Sequence, residues 1–379
     1  MKRNKIPAAT IVAALTVPLQ AFADTANVNW YGNFDVSGDS INTGTATKGT
    51  PGTTSNRVSS NTSFIGVKGF VAAGNGLSAI WQVESLLNLG DSAANGTNGI
   101  GYLANRNSFV GLKSDSYGTI FAGRNDTPYK LSTRLFDQFN RGIADNRSIL
   151  GGSTGVGAKS SFDGRQDQVV AYISPSLRGV TVAAAHVNLS PTVSTGGTFQ
   201  GNAASVAAWY NVNGLSGTLA YELHDLQSQA SGTGSEHATK LGLGYTQEGI
   251  FTVGFVAEQT SDNLGAAAAN LYGHNAFYLS GKFYVGSAGA IKAAFTGASN
   301  LAGGNAANTG AKQYSLGYDY ILNKNATVYA LYTKLSNESA AGYSLSVSNG
   351  TAASIGGPST ISGIGASPSA LGVGVLVTF

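Results

Sequence analysis

Apolar and polar residues alternate along this chain in segments of about ten residues, a period of two that predicts sheet with one oily and one wet face. Val28, Trp30, Gly32, Phe34 and Val36 fall on one face, with Asn29, Tyr31, Asn33 and Asp35 on the other. Leu77, Ala79, Trp81 and Val83 oppose Ser78, Gln82 and Glu84. Leu215, Leu219, Tyr221 and Leu223 oppose Thr218, Glu222 and His224. Phe251, Val253, Phe255 and Ala257 oppose Thr252 and Glu258, and Tyr314, Leu316, Tyr318 and Tyr320 oppose Ser315 and Asp319. The last segment sets Leu371, Val373, Val375, Val377 and Phe379 against Gly372, Gly374 and Thr378.

The connections sort into two kinds. Short ones are expected at 73–76, 114–118, 174–179, 211–214, 247–249, 285–289 and 323–325. Longer polar stretches lie between them, at 38–56, 90–104, 125–164, 188–201, 225–237, 261–273, 298–310 and 336–367. A soluble sandwich also alternates. Long strands joined by short turns on one side and long loops on the other instead predict an all-β transmembrane antiparallel barrel. About 16 strands are expected, a size whose lumen holds water. Past residue 23 every proline falls in a proposed loop, turn or strand start, as a closed ladder requires.

Composition sharpens the picture. Only 11% of residues are charged, against about 25% in soluble domains. With 52 Gly, 17 Tyr and 16 Phe, the chain suits strands and turns better than helices. Residues 1–23 are expected to be a cleaved signal peptide: Lys2, Arg3 and Lys5 precede a short apolar run from Ile11 to Leu19, and Ala21-Phe22-Ala23 is a small-x-small cleavage site. Residues 24–379 are then one barrel domain. Its 19 remaining basic residues balance 19 acidic ones, so no nucleic-acid partner is expected. The absence of Cys excludes disulfides and thiol chemistry.

Several motifs resemble the trimeric general porins of β-proteobacteria and Neisseria. They are Ser-Phe-Ile-Gly-Val-Lys-Gly at 63–69, Arg-Asn-Ser-Phe-Val-Gly-Leu at 106–112 and Gly-Thr-Ile-Phe-Ala-Gly-Arg at 118–124. Asp-Thr-Pro-Tyr-Lys at 126–130, and Arg165 followed by Val169 to Pro175, extend the likeness over nearly the whole mature chain. The resemblance implies a passive channel in the outer membrane of a Gram-negative bacterium, passing small hydrophilic solutes and ions. It also implies a homotrimer, contacts with outer-membrane lipid and lipopolysaccharide, and insertion by the barrel-assembly machinery, for which Phe379 is the C-terminal signal. No enzymatic activity, metal or other cofactor is implied.

The resemblance further implies that the long third loop, about 125–164, folds into the barrel and narrows the pore. Thr127 as N-cap and Pro128 in the first turn predict a short helix reaching toward Phe139. Parity places Arg106, Arg124 and Arg165 inward, with Phe109, Phe121 and Val170 on the opposite face; Lys68, Glu84, Glu222 and Asp319 also point inward. Asp126, Asp137 and Asp145 on the loop are expected to face wall arginines and set up a transverse field; the alternative is that these charges pair to anchor the loop or line a wide vestibule. Over 124–147 five basic residues outnumber three acidic ones, which suggests a weak anion preference. The family often carries an arginine where Phe64 stands, which implies one wall cation fewer.

Other features read more plainly. The run Gly152 to Ser160 mimics a phosphate loop but lacks the strand-to-helix setting. The four histidines, His186, His224, His237 and His274, have no metal-ligand spacing and are expected in loops or the pore. Trp30, Trp81 and Trp209 are expected in interfacial girdles. The rival readings are a substrate-specific channel, a barrel enzyme such as a phospholipase, and a secreted β-rich adhesin. The enzyme needs a Ser-His pair facing lipid. The adhesin usually shows a short internal repeat, and none is found.

Overall fold

A computed structural model describes residues 27–47, 49, 51–87, 89–90, 103–151, 162–194, 197–228, 232–261, 270–303, 307–345 and 364–379. The expected signal peptide and the run from Gly152 to Ser160 lie outside these residues. The strands are β1 (Asn27–Asn42), β2 (Thr54–Ser60), β3 (Phe64–Gly74), β4 (Leu77–Leu86), β5 (Ser108–Ser114), β6 (Gly118–Asp126), β7 (Arg165–Ile173), β8 (Val180–Ser194) and β9 (Gly197–Val212). They continue with β10 (Leu215–Ser228), β11 (Gly232–Gln247), β12 (Phe251–Ser261), β13 (Asn275–Val285), β14 (Gly289–Ala298), β15 (Ala311–Asn323), β16 (Ala326–Asn337) and β17 (Ser369–Thr378).

β1 pairs antiparallel with both β2 and β3, each strand from β3 on pairs antiparallel with the next, and β17 pairs with β1, so the sheet closes. β2 and β3 pair with successive halves of β1 and act as one stave interrupted at 61–63, where Thr62 takes φ 57°. The 17 segments therefore make a barrel of 16 staves. Closure leaves no unpaired strand edge, the condition for crossing a bilayer with strands.

The faces follow the alternation. Leu219, Leu243, Leu279, Leu316 and Val373 point out and are about half exposed, as residues meeting acyl chains must be. Ser205, Glu222, Lys240, Glu258 and Asp319 are buried on the inner side. All seven short connections stand where the sequence puts them. Two of the expected long loops do not: 188–201 and 225–237 are mostly strand, in the hairpins β8–β9 and β10–β11. Polarity there marks the end of the apolar band, while the hydrogen-bond ladder runs on past it.

Three further expectations are corrected. Phe109 and Phe121 lie on the inner side, in contact with a buried cluster of Val169, Ala171, Ala185, Val187 and Ala203, whereas Val110, Ile120 and Val170 are exposed. The register shifts between Gly123 and Asn125, so a count run backward from Arg124 loses phase. Trp209 shares the inner parity of Ser205 and Ala207 and packs against the buried cluster of Tyr129, Phe162, Ala207, Ala220 and Ala238 rather than joining an interfacial girdle. His186 and His237 are exposed on the outward parity, and His237 stacks on Tyr221.

Candidate pore constriction

The segment after β6 begins as the sequence predicts, then stops early. Thr127 Oγ1 accepts the Lys130 N–H (3.3 Å), Pro128 sits in the first turn, and a helix α1 spans Pro128–Ser132. Thr133 ends it, and one tight 3₁₀ turn follows over Arg134–Phe136. The helix does not reach Phe139 because Phe136 is held by the wall. Its ring and backbone lie directly over Gly242, Gly244 and Gly254, where any added Cβ would collide with it.

Hydrogen bonds fix the same segment to the inner wall. The Tyr129 N–H donates to Ser205 Oγ (3.0 Å) and its hydroxyl to Glu258 (2.9 Å). Ser280 Oγ donates to the Phe136 carbonyl (2.6 Å), and the Tyr278 hydroxyl to Asp137 (2.7 Å). Lys240 bridges Asp163 (2.7 Å) and Glu258 (3.3 Å), and the Gly151 N–H donates to Glu258 (2.9 Å). His224 lies between Glu222 and Glu236 and stacks on Phe162. The segment thus bears on β9 to β13 by their inner side chains.

Its far end meets other strands. Arg141 Nη1 donates to Asn33 Oδ1 (2.7 Å), and its guanidinium lies 5.7 Å from the Phe64 ring centre. Arg106 lies over the same ring at 4.5 Å and pairs with Glu84 (3.4 Å). Glu84 also accepts the Tyr31 hydroxyl (2.9 Å). Phe64 is therefore a common floor for one wall guanidinium and one loop guanidinium, a role its aromatic face allows. The sequence counts Arg141 among the five basic residues of 124–147 but gives it no partner on the wall. The signal available was its position midway along a long loop.

The expected residues divide into groups. Arg106 and Glu84 come together. Asp126 holds both Lys130 (2.8 Å) and Arg165 (3.1 Å). Asp145, fully buried, binds Arg134 (3.0 Å) and Arg147 (2.9 Å) and accepts the Arg141 N–H (2.8 Å). Asp137 takes Tyr278, with Arg134 at 3.8 Å. The loop acids Asp137 and Asp145 thus engage their own loop and the wall behind it, not Arg106 across the lumen. Arg124 stands apart, paired with the well-exposed Asp167 (2.6 Å). Lys68 lies nearer the short-turn end, its ammonium 4.8 Å from the Tyr31 ring centre.

Electrostatics separates the loop groups. Burial works against ionisation of Asp145, yet Arg134 and Arg147 hold its carboxyl well below the usual range. Burial and the neighbouring Asp145 push Asp137 upward. Burial draws the Lys130 ammonium down to about 8 against the pull of Asp126.

Comparison with known proteins bears on this geometry. A family model described as Gram-negative porin matches residues 8–340. An outer membrane porin protein of Bordetella pertussis is 26% identical over 308 residues, 71% of this chain and 76% of that one. The major outer membrane protein P.IB of Neisseria gonorrhoeae is 37% identical over 119 residues, 31% of this chain and 32% of that one. Among solved structures, the anion-selective porin from Comamonas acidovorans superposes with a TM-score of 0.73 at 19% identity, covering 94% of this chain and all of that one. Salmonella typhi OmpF gives 0.67 at 16% identity, covering 94% and 99%. The match over most of its length makes this chain a member of the Gram-negative porin family, an outer-membrane channel for passive diffusion.

Proposed function

We propose that the segment 127–151 is the constriction of this channel, that the lumen beside it passes small anions in weak preference to cations, and that three copies assemble. The carrying observation is how carboxylates are shared. Asp126 lies between Lys130 and Arg165, Asp145 between Arg134 and Arg147, and Asp319 between Lys282 (3.0 Å) and Lys292 (2.8 Å). The Asp126 and Asp319 triplets each keep one positive charge in excess, while Arg134 is shared further with Asp137 at 3.8 Å. The opposite arrangement, Lys240 between Asp163 and Glu258, is sealed: its side chains are 2%, 7% and 0% exposed, while Lys282 and Arg147 are 20% and 23% exposed. Excess acid is buried behind the loop, and excess base is left toward water. A low-dielectric wall focuses that field on a passing ion.

Arg106, Glu84, Arg165 and Asp126 line this constriction; Arg124 and Lys68 flank it, and Asp137 and Asp145 hold the loop. Lipid and lipopolysaccharide cover the outer face, and Phe379 presents the chain to the assembly machinery. Reversal potentials across a KCl gradient test the preference: chloride is expected to be favoured, R106Q to weaken that bias, and a cation-favouring wild type overturns it. Conductance falling in three equal steps is expected of a trimer.

A further inference from the structure

Below the constriction, toward the short-turn rim, the inner wall changes character. Lys68 faces Gln82 across the β3–β4 ladder, and Phe70 faces Ile80. Gln82 in turn faces Phe109 on β5, and Ser78 faces Lys113. These side chains line one open cavity of about 320 Å³. Phe70 is 38% exposed there, so an oily surface is presented to lumen water where a pore wall is otherwise polar. Among the described residues neither Lys68 nor Lys113 takes part in an ion pair. Asp115, in the turn beside Lys113, is the one acid among the lining residues and stands at the rim end of the cavity, while Glu84, on the row above, is engaged by Tyr31 and Arg106.

We infer that this cavity is a binding subsite for aromatic carboxylates on the solute path, with Lys68 meeting the carboxylate and Phe70, Ile80 and Phe109 meeting the ring. The inference rests on the reading of the lumen as a route for anions. A small hydrated anion gains nothing from the exposed Phe70 and half-buried Ile80, and an uncharged aromatic gains only a weak cation–π contact from the ammonium. Only a solute carrying both parts uses both. A lysine is a single point charge with no fixed fork, which suits one carboxylate better than bidentate capture of a phosphate. Lys113 sits four β4 positions below the Lys68 row, beside the rim, and draws the anion to or from the cavity rather than sharing its carboxylate.

Binding is measured calorimetrically on the full chain, folded in detergent, with empty micelles as blank. Benzoate is expected to bind at least about tenfold more tightly than acetate or benzyl alcohol. K68Q and F70S are each expected to weaken benzoate binding about fivefold or more, and K113Q less. Retention of the compact, heat-modifiable form on gels shows that the variants fold. In planar bilayers, benzoate on the short-turn side is expected to reduce chloride current more than on the loop side. The inference is overturned if benzoate binds no better than acetate, or if K68Q and F70S both leave its affinity unchanged. A channel that binds benzoate in this way but favours cations in KCl overturns the proposed ion preference and leaves the subsite standing.

Discussion

At the scale of single residues, the proposed ion preference rests on carboxylates shared between two cations. Lys130 is the member of the Asp126 triplet that lies on the loop. Its ammonium is drawn down to about 8 by burial, so it is charged at pH 7 and discharges as pH rises through that value. The triplet then goes from one positive charge to none. The ratio of chloride to potassium permeability is expected to fall between about pH 7 and about pH 9, and K130Q to start low and stay flat over that range. A wild-type ratio independent of pH across this window would show that Lys130 does not contribute to the field felt by the ion.

At the scale of elements, one wall patch decides where the loop lies. Gly242, Gly244 and Gly254, on β11 and β12, form a bare strip that Phe136 covers, and Ser280 and Tyr278 on β13 lock the carbonyl and carboxylate beside it. Gly242 has no need of its backbone freedom; it is small because an aromatic ring rests on it. G242V should therefore expel Phe136 without disturbing the ladder. Single-channel conductance is expected to rise, by up to about twofold if the segment 133–143 swings clear, with the barrel still resistant to cold detergent. Unchanged conductance in a folded G242V channel would mean the loop is held by its hydrogen bonds alone.

At the scale of the molecule, closure depends on the last residue. Phe379 exchanges backbone hydrogen bonds with Gly32 (3.1 and 3.2 Å), and its ring stands edge-on to Phe34 with centres 5.2 Å apart, covering Gly32. Both ends of the sheet meet there. Deleting Phe379 removes two ladder bonds and the outward aromatic at once, so the yield of heat-modifiable barrel is expected to drop several-fold, while F379Y preserves it. Folding yields measured with purified chain in lipid vesicles isolate closure from any defect in recognition by the cell's assembly machinery.

Much of this was legible in the chain. Strand number, sidedness and all seven short connections follow from period-two alternation and turn residues, because each is a local consequence of one face meeting lipid and the other water. The helix start at Thr127-Pro128 is equally local. The sequence could not place residues whose position depends on another strand. Phe109 and Phe121 turn inward beyond a register shift near Gly123, Trp209 packs under the third loop, and the glycine strip on β11 and β12 makes sense only once Phe136 lies on it. The partners of charged groups were hidden for the same reason: Asp126 with Arg165, Lys240 with Asp163, and Arg141 with the Asn33 amide join residues from 39 to 108 positions apart. Alternation fixes which side of the sheet a residue occupies only within an unbroken register; barrel closure and the folded loop bring distant charges within reach, and so decide what field the lumen presents.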